Sequence, residues 1–320
     1  MNTFLYILVN SIMPIFIMIA LGFVLGKNFK LDVITLSKVV IYLLVPAFVF
    51  VNIFTVDLDF NMVKILLFSV VYLLCNYILA KIISRIRKYD AGLSNAFANS
   101  IMFNNIGNIG LALITLVFST APFVVGERTP YLNDALAAII VILVFNNVTS
   151  NTIGFYIGGR ATMNFKQSLI RTLKLPVIYA IILVLIIKAI NFDMTATPIW
   201  PVLIHLKNGL VAIALIALGI QLAIIKFDFK DVNVYLSSFI RLVIGPLLAM
   251  LFIYLFGFTG VTAQTILIAY AVPTGINTAL IALEYDNNQS YAIQAVVSST
   301  LFSIITLTFV VYIAGILYPV

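Results

Sequence analysis

Charge is what this 320-residue sequence has least of. Only 9% of its residues are Asp, Glu, Lys or Arg, against 63% that are hydrophobic, and the mean hydropathy is +1.18. Soluble domains run near one-quarter charged, so a soluble globular protein is excluded. A single cysteine, Cys75, rules out an internal disulfide. A single histidine, His205, rules out a two-histidine metal site. The H-E-x-x-H, G-x-S-x-G and Walker A patterns are all missing, so neither an enzyme nor a cofactor or metal is expected. The net charge of +7 is not a nucleic-acid signal, because the charges fall in loops flanking apolar runs, where they set orientation in a bilayer.

Long apolar runs are what the chain has instead. At about 20 residues per span, the length accommodates about ten transmembrane helices. Charges, prolines and Asn/Asp clusters place them at 5–26, 33–55, 61–84, 92–119, 131–158, 175–192, 199–225, 232–256, 261–284 and 289–318. The runs are continuously apolar and show no dyad alternation, which predicts an all-α polytopic membrane protein and not a β-barrel. Several exceed twenty residues, so tilting or interruption is expected. The N-terminal "MNTFLYILVN" has no basic leader region and reads as the start of a retained span.

The basic residues decide the sidedness. Thirteen of eighteen lie in or beside odd-numbered loops: Lys27, Lys30 and Lys38; Lys81, Arg85, Arg87 and Lys88; Arg160, Lys166, Arg171 and Lys174; Lys226 and Lys230. The even loops and their edges hold Lys64, Arg128 and Lys188. The positive-inside rule then puts odd loops in the cytoplasm and both termini outside the cytoplasmic membrane.

An internal repeat is also visible. "VPAFVFVNIFTVDLDF" (45–60) parallels "ALIALGIQLAIIKFDF" (214–229), and "IMPIFIMIALGF" (12–23) parallels "KLPVIYAIILVL" (174–185). Five spans (1–159) precede a basic linker (160–174) and five (175–320) follow it. An odd number of spans per repeat inverts the second copy, as in secondary transporters.

The fourth and ninth spans each carry a mid-span interruption at matching places. In "FNNIGNIGLAL" it is Asn104, Asn105, Gly107, Asn108 and Gly110; in "AVPTGINTALI" it is Pro273, Thr274, Gly275, Asn277 and Thr278. Asn105 is taken to stand where Pro273 stands. Proline removes a backbone donor and glycine costs about 1 kcal/mol in a helix interior. Unwound backbone at membrane depth is tolerated only against protein or a water-filled cavity. Paired breaks point to a midplane site whose half-helix N-termini favour an anion. Packing devices between helices are the plainer alternative.

These stretches, with "LLVPAFVFVNIF", "ALGIQLA", "RLVIGPLLA" and above all "AYAVPTGINTALIALEY", resemble the auxin efflux carrier family over essentially the whole chain. That family includes plant PIN-type carriers and bacterial malate-permease-like proteins. The resemblance implies ten spans in two inverted five-helix repeats, crossing broken helices 4 and 9, a scaffold and a transport subdomain each built from both repeats, and elevator-type alternating access. It implies a small organic anion as substrate, malate or an auxin-like acid, held by Asn104, Asn105, Gly107, Asn108, Pro273, Thr274, Gly275 and Asn277. The long hydrophilic loop of many plant members is missing here.

Charges within spans are few. Arg241 lies about nine residues into the eighth span; it suits either a substrate carboxylate or the carbonyls of a broken helix. His205 and Lys207 enter the seventh span from the outer side, as a proton shuttle and an anion guide or as snorkelling tips. Asn146, Asn147, Thr149 and Asn151 in the fifth span, Gln221 in the seventh, and Gln294, Ser298 and Ser299 in the tenth either line a cavity or bond between helices. No acid sits at a span centre, so no carboxylate-based proton or sodium site is evident, though broken-helix carbonyls can hold a cation. Gly22 and Gly26 permit close helix approach, within the chain or in a homodimer. The rival functions are a sodium-coupled bile-acid-type symporter, an anion channel and a membrane sensor; no continuous charged pore and no signalling segment supports the last two.

Overall fold

The computed structural model describes residues 3–55, 60–159, 173–224 and 230–320. Asp59, the Asp228-Phe229 pair, Arg160, Lys166, Arg171, Lys226 and nearly all of the 160–174 linker lie outside the described residues.

Seven helices are long and apolar enough to cross a membrane: α1 (Phe4–Asn28), α2 (Thr35–Thr55), α3 (Asn61–Ile86), α5 (Leu132–Gly158), α7 (Ile199–Ala223), α8 (Val232–Phe256) and α10 (Gln289–Leu317). The expected fourth and ninth spans are each two helices, α4a (Ala91–Met102) with α4b (Ile106–Phe118), and α9a (Gly260–Ala271) with α9b (Ile276–Glu284). Helix α6 (Pro176–Ala189) has 14 residues, about 21 Å of rise. Its run was expected to reach 192, but Asn191 adopts a left-handed φ of 52° and turns the chain away.

Local chemistry explains the helix ends and irregularities. Asp90 accepts from Leu93 N–H at 2.7 Å ahead of α4a, and Asp231 from Asn233 N–H at 2.9 Å ahead of α8, so scarce acids serve as N-caps. Gly257, with φ 63°, ends α8 in the left-handed conformation. Single π-turns interrupt α1 at 8–12, α2 at 40–44, α5 at 150–154 and α8 at 240–244, and another opens α4b at 106–110. Three of them end two residues before Pro14, Pro46 and Pro246. Proline has no N–H and its ring crowds the carbonyl four residues back, and a widened turn relieves both defects without ending the helix. The other two end on Gly110 and Gly154.

Packing forms two groups. Helices α1, α2, α6 and α7 pack on one another, while α3, α4a, α4b, α5, α8, α9a, α9b and α10 interleave. Lipid is as apolar as leucine, so these contacts depend on shape. The tightest joins α1 to α7. A Cβ on Gly22 would lie 2.2 Å from Ile216 O, and one on Gly219 would lie 2.0 Å from Ile19 O. The Gly22/Gly26 stripe is therefore used inside the chain, against α7, and is not free to form a dimer seam. In the second group, the rings of Phe68, Tyr72 and Tyr270 stack α3 on α9a, with Tyr72 and Tyr270 4.2 Å apart.

Replacing Gly22 or Gly219 with valine should cost about 1–3 kcal/mol or prevent folding, since the overpacked atoms are backbone. Gly315, with open space around it, should accept alanine without loss. Thermal melting of the detergent-purified variants checks both, and an unchanged Gly219→Val melting temperature would refute the interlock.

Candidate functional site

The two breaks meet. Residues 103–105 and 272–275 run extended past each other as an antiparallel bridge in which Asn104 opposes Thr274. Asn105 N–H donates to Pro273 O at 2.8 Å, and Gly275 N–H to Phe103 O at 3.0 Å. This symmetric exchange makes Asn105 the counterpart of Gly275, and Phe103 that of Pro273. The sequence alignment, which set Asn105 against Pro273, was shifted by two residues. Gly275 allows the approach, because a Cβ there would lie 2.8 Å from Asn104 O.

Side chains bond to further backbone groups. Asn104 Nδ2 donates to Ala269 O at 3.1 Å and Asn146 Nδ2 to Asn104 O at 3.2 Å. Thr274 Oγ1 donates to Ser100 O at 2.9 Å, and Thr274 N–H to Ser299 Oγ at 3.1 Å. Arg241 is 1% exposed. Its Nε donates to Val272 O at 3.0 Å, Nη1 to Ile101 O at 3.0 Å and Nη2 to Tyr270 O at 2.8 Å. The guanidinium thus binds the C-terminal ends of α4a and α9a together.

On the other side of the bridge lies a cavity of about 620 Å³. Its floor is Asn104, Asn105, Gly107, Asn108, Gly275 and Asn277, including the first turns of α4b and α9b. The first N–H groups of a helix have no intrahelical partner, so both N-termini present donors and partial positive charge here. Asn146, Asn147, Ser150 and Asn151 of α5 form one polar wall, and Gln221 of α7 faces them. Gln221 donates through Nε2 to Ser37 Oγ at 2.9 Å. Asn104 Oδ1, Asn105 Nδ2 and Gln221 Oε1 are buried without a hydrogen-bond partner among the described residues, and such atoms call for an explanation. Apolar walls come from Val40, Ile41, Val45, Leu143 and Phe155. Among the described lining residues Glu284 is the one ionisable group, and none is Lys or Arg.

The remaining candidates lie elsewhere. Pro273 and Thr274 are buried behind the bridge, and Arg241 lies with them outside the cavity lining. Gln294 and Ser298 are buried on α10, where Ser238 Oγ donates to Ser298 Oγ at 3.3 Å, and they do not line the cavity. Lys207 is half-buried and His205 exposed toward the opposite end of α7. The sequence reading missed Ser37, Phe103, Ser150 and Glu284 as lining residues. Pro46 and the "SNTIG" run mark two of the π-turns that reach the cavity wall, the one signal that pointed there.

A family model described as membrane transport protein matches residues 7–163 and 160–311, nearly the whole chain. The chain belongs to this family, that of the auxin efflux carriers. It is a family of membrane transporters and not of enzymes. An uncharacterized transporter of Methanothermobacter thermautotrophicus is 21% identical over 307 residues, covering 93% of this chain and 95% of that one. The carrier is thus a multi-pass, all-helical membrane protein.

In a Cys75→Ser background, Asn151→Cys and Asn277→Cys should react with a water-soluble maleimide. Ser298→Cys and Leu210→Cys should stay unlabelled. Equal labelling of all four would contradict the cavity's outline.

Proposed function

We propose that this transporter carries a small organic acid with one carboxylate and an apolar body across the cytoplasmic membrane. The observation that supports it is the convergence of two helix N-termini on one cavity that the amides of Asn108, Asn146, Asn147 and Asn151 also line. Each N-terminus carries roughly half an elementary charge, so the pair offers about one positive charge to a carboxylate at the cavity floor, with Glu284 at the far end of α9b from it. The apolar walls suit an aromatic or alicyclic body. Asn104, Asn105, Gly107, Asn108, Gly275 and Asn277 would contact the acid, with Asn146, Asn147 and Gln221 as further hydrogen-bonding groups. Pro273, Thr274 and Arg241 would shape the site from behind.

In this reading the chain has ten spans in two inverted five-helix repeats, 1–159 and 175–320, joined by the basic linker. Helices α1, α2, α6 and α7 are the scaffold, and the remaining helices move as the transport body in elevator-type alternating access. The cavity lies between the two groups. Beyond its floor it is walled by the helix ends that lead into loops 29–34, 159–175, 224–231 and 285–288. The first three of these hold basic residues, so in this reading the cavity corresponds to a cytoplasm-facing state with both termini outside. A bile-acid-type symporter would share the architecture but require sodium and a bulkier amphipathic anion.

Thermal melting of the purified protein with indole-acetate, malate and taurocholate, each with and without sodium, separates these readings. Indole-acetate should stabilise most, by about 2.7 kcal/mol at a hundredfold excess over Kd, and Asn105→Leu should abolish the shift. A shift produced by malate or taurocholate alone would change the substrate class. A shift by an organic cation and by no anion would overturn the proposal.

A further inference from the structure

The Arg241 guanidinium occupies the place where broken helices expose the groups that bind cations. Unwound carbonyls and half-helix C-termini are general ligands for sodium in transporters. Here the carbonyls of Ile101, Tyr270 and Val272 converge, and all three already accept from one side chain at 2.8–3.0 Å. The charge also balances. Two C-termini contribute about one negative charge together, and arginine carries one positive charge at every accessible pH. Among the described residues no carboxylate is available to share it, since the described Asp and Glu lie at helix ends or in loops. Tyr72 and Tyr270 pack beside the guanidinium and close the pocket with aromatic surface. Pro246 widens the 240–244 turn that carries Arg241.

We infer that Arg241 is a built-in cation of the crossover: it fills the position of a coupling ion, so the transport cycle at this site draws on no sodium. Arg241 is a positioning residue, which fixes the C-terminal halves of both broken helices so that the N-terminal halves stay aimed into the cavity. The inference rests on the crossover being the transport site, not on which anion binds there.

The test uses the full-length detergent-purified chain and the ion itself. Saturable binding of radioactive sodium should be absent from the wild type, and its melting temperature should be equal in sodium, potassium and choline chloride. Saturable sodium binding by the wild type would overturn the inference. The Arg241→Ser variant should melt well below the wild type and recover part of the loss in low-millimolar guanidinium or in sodium, but not in choline. A structural role without charge replacement would give no cation-specific recovery, and that result too would overturn the inference. Arg241→Lys, which keeps the charge but loses the three-pronged fit, should melt between the two. If Arg241→Ser cannot be purified, the wild-type measurement decides alone. Failure of every anion to bind would sink the proposed substrate yet leave the sodium result standing.

Discussion

A helix interrupted inside hydrocarbon leaves N–H and C=O groups that no water can reach, and each orphaned group costs several kcal/mol. The chain breaks two helices at the same depth and lets each break answer the other. Two main-chain bonds, Asn105 to Pro273 and Gly275 to Phe103, form the shortest possible sheet. Every other polar contact at the crossover covers what those two cannot reach: Asn104 on Ala269, Asn146 on Asn104, Thr274 on Ser100, Arg241 on three carbonyls. Groups left unpaired in such a network are costly, and Asn104 Oδ1 and Asn105 Nδ2 are crossover atoms with no partner among the described residues.

The same pairing makes the two sides of the bridge unlike. Behind it, where the half-helices end, carbonyls are neutralised by a permanent cation and sealed by Phe68, Tyr72 and Tyr270. In front, where the half-helices begin, donors face about 620 Å³ of space walled by amides and aliphatic side chains. The dry side supplies rigidity and the open side supplies chemistry. A loose crossover would let α4b and α9b swing, and their dipoles would no longer add at one point.

Much of this was legible in the sequence because it depends on residues that are out of place in lipid. The paired interruptions, with their Asn, Gly and Pro residues, stand against an apolar background. What could not be read was orientation around each helix. In a soluble protein the buried face is apolar and the other polar, but here both the packed face and the lipid face are hydrocarbon. So Gln294 and Ser298 looked as eligible for the cavity as Asn146 and Asn147, and only the fold separates them. The equivalence of Asn105 with Gly275, two residues from the match that the sequence suggests, needed the hydrogen bonds. Arg241 had two open roles because a one-dimensional string does not say which carbonyls end nearby.

The π-turns carry a consequence for how this carrier could change over time. A π-turn holds one residue more than the α-turn it replaces, so removing one residue from 150–154 would restore an ordinary helix. The widened turn takes up its extra residue within itself, so everything C-terminal of the deletion would keep its facing relative to Asn146 and Asn147. Phe155 would stay at the cavity wall, and only the side chains of the turn itself would be redistributed, with the helix still whole. Single-codon insertions and deletions at these turns are thus a route to local change in the cavity wall that leaves the flanking helix faces where they are.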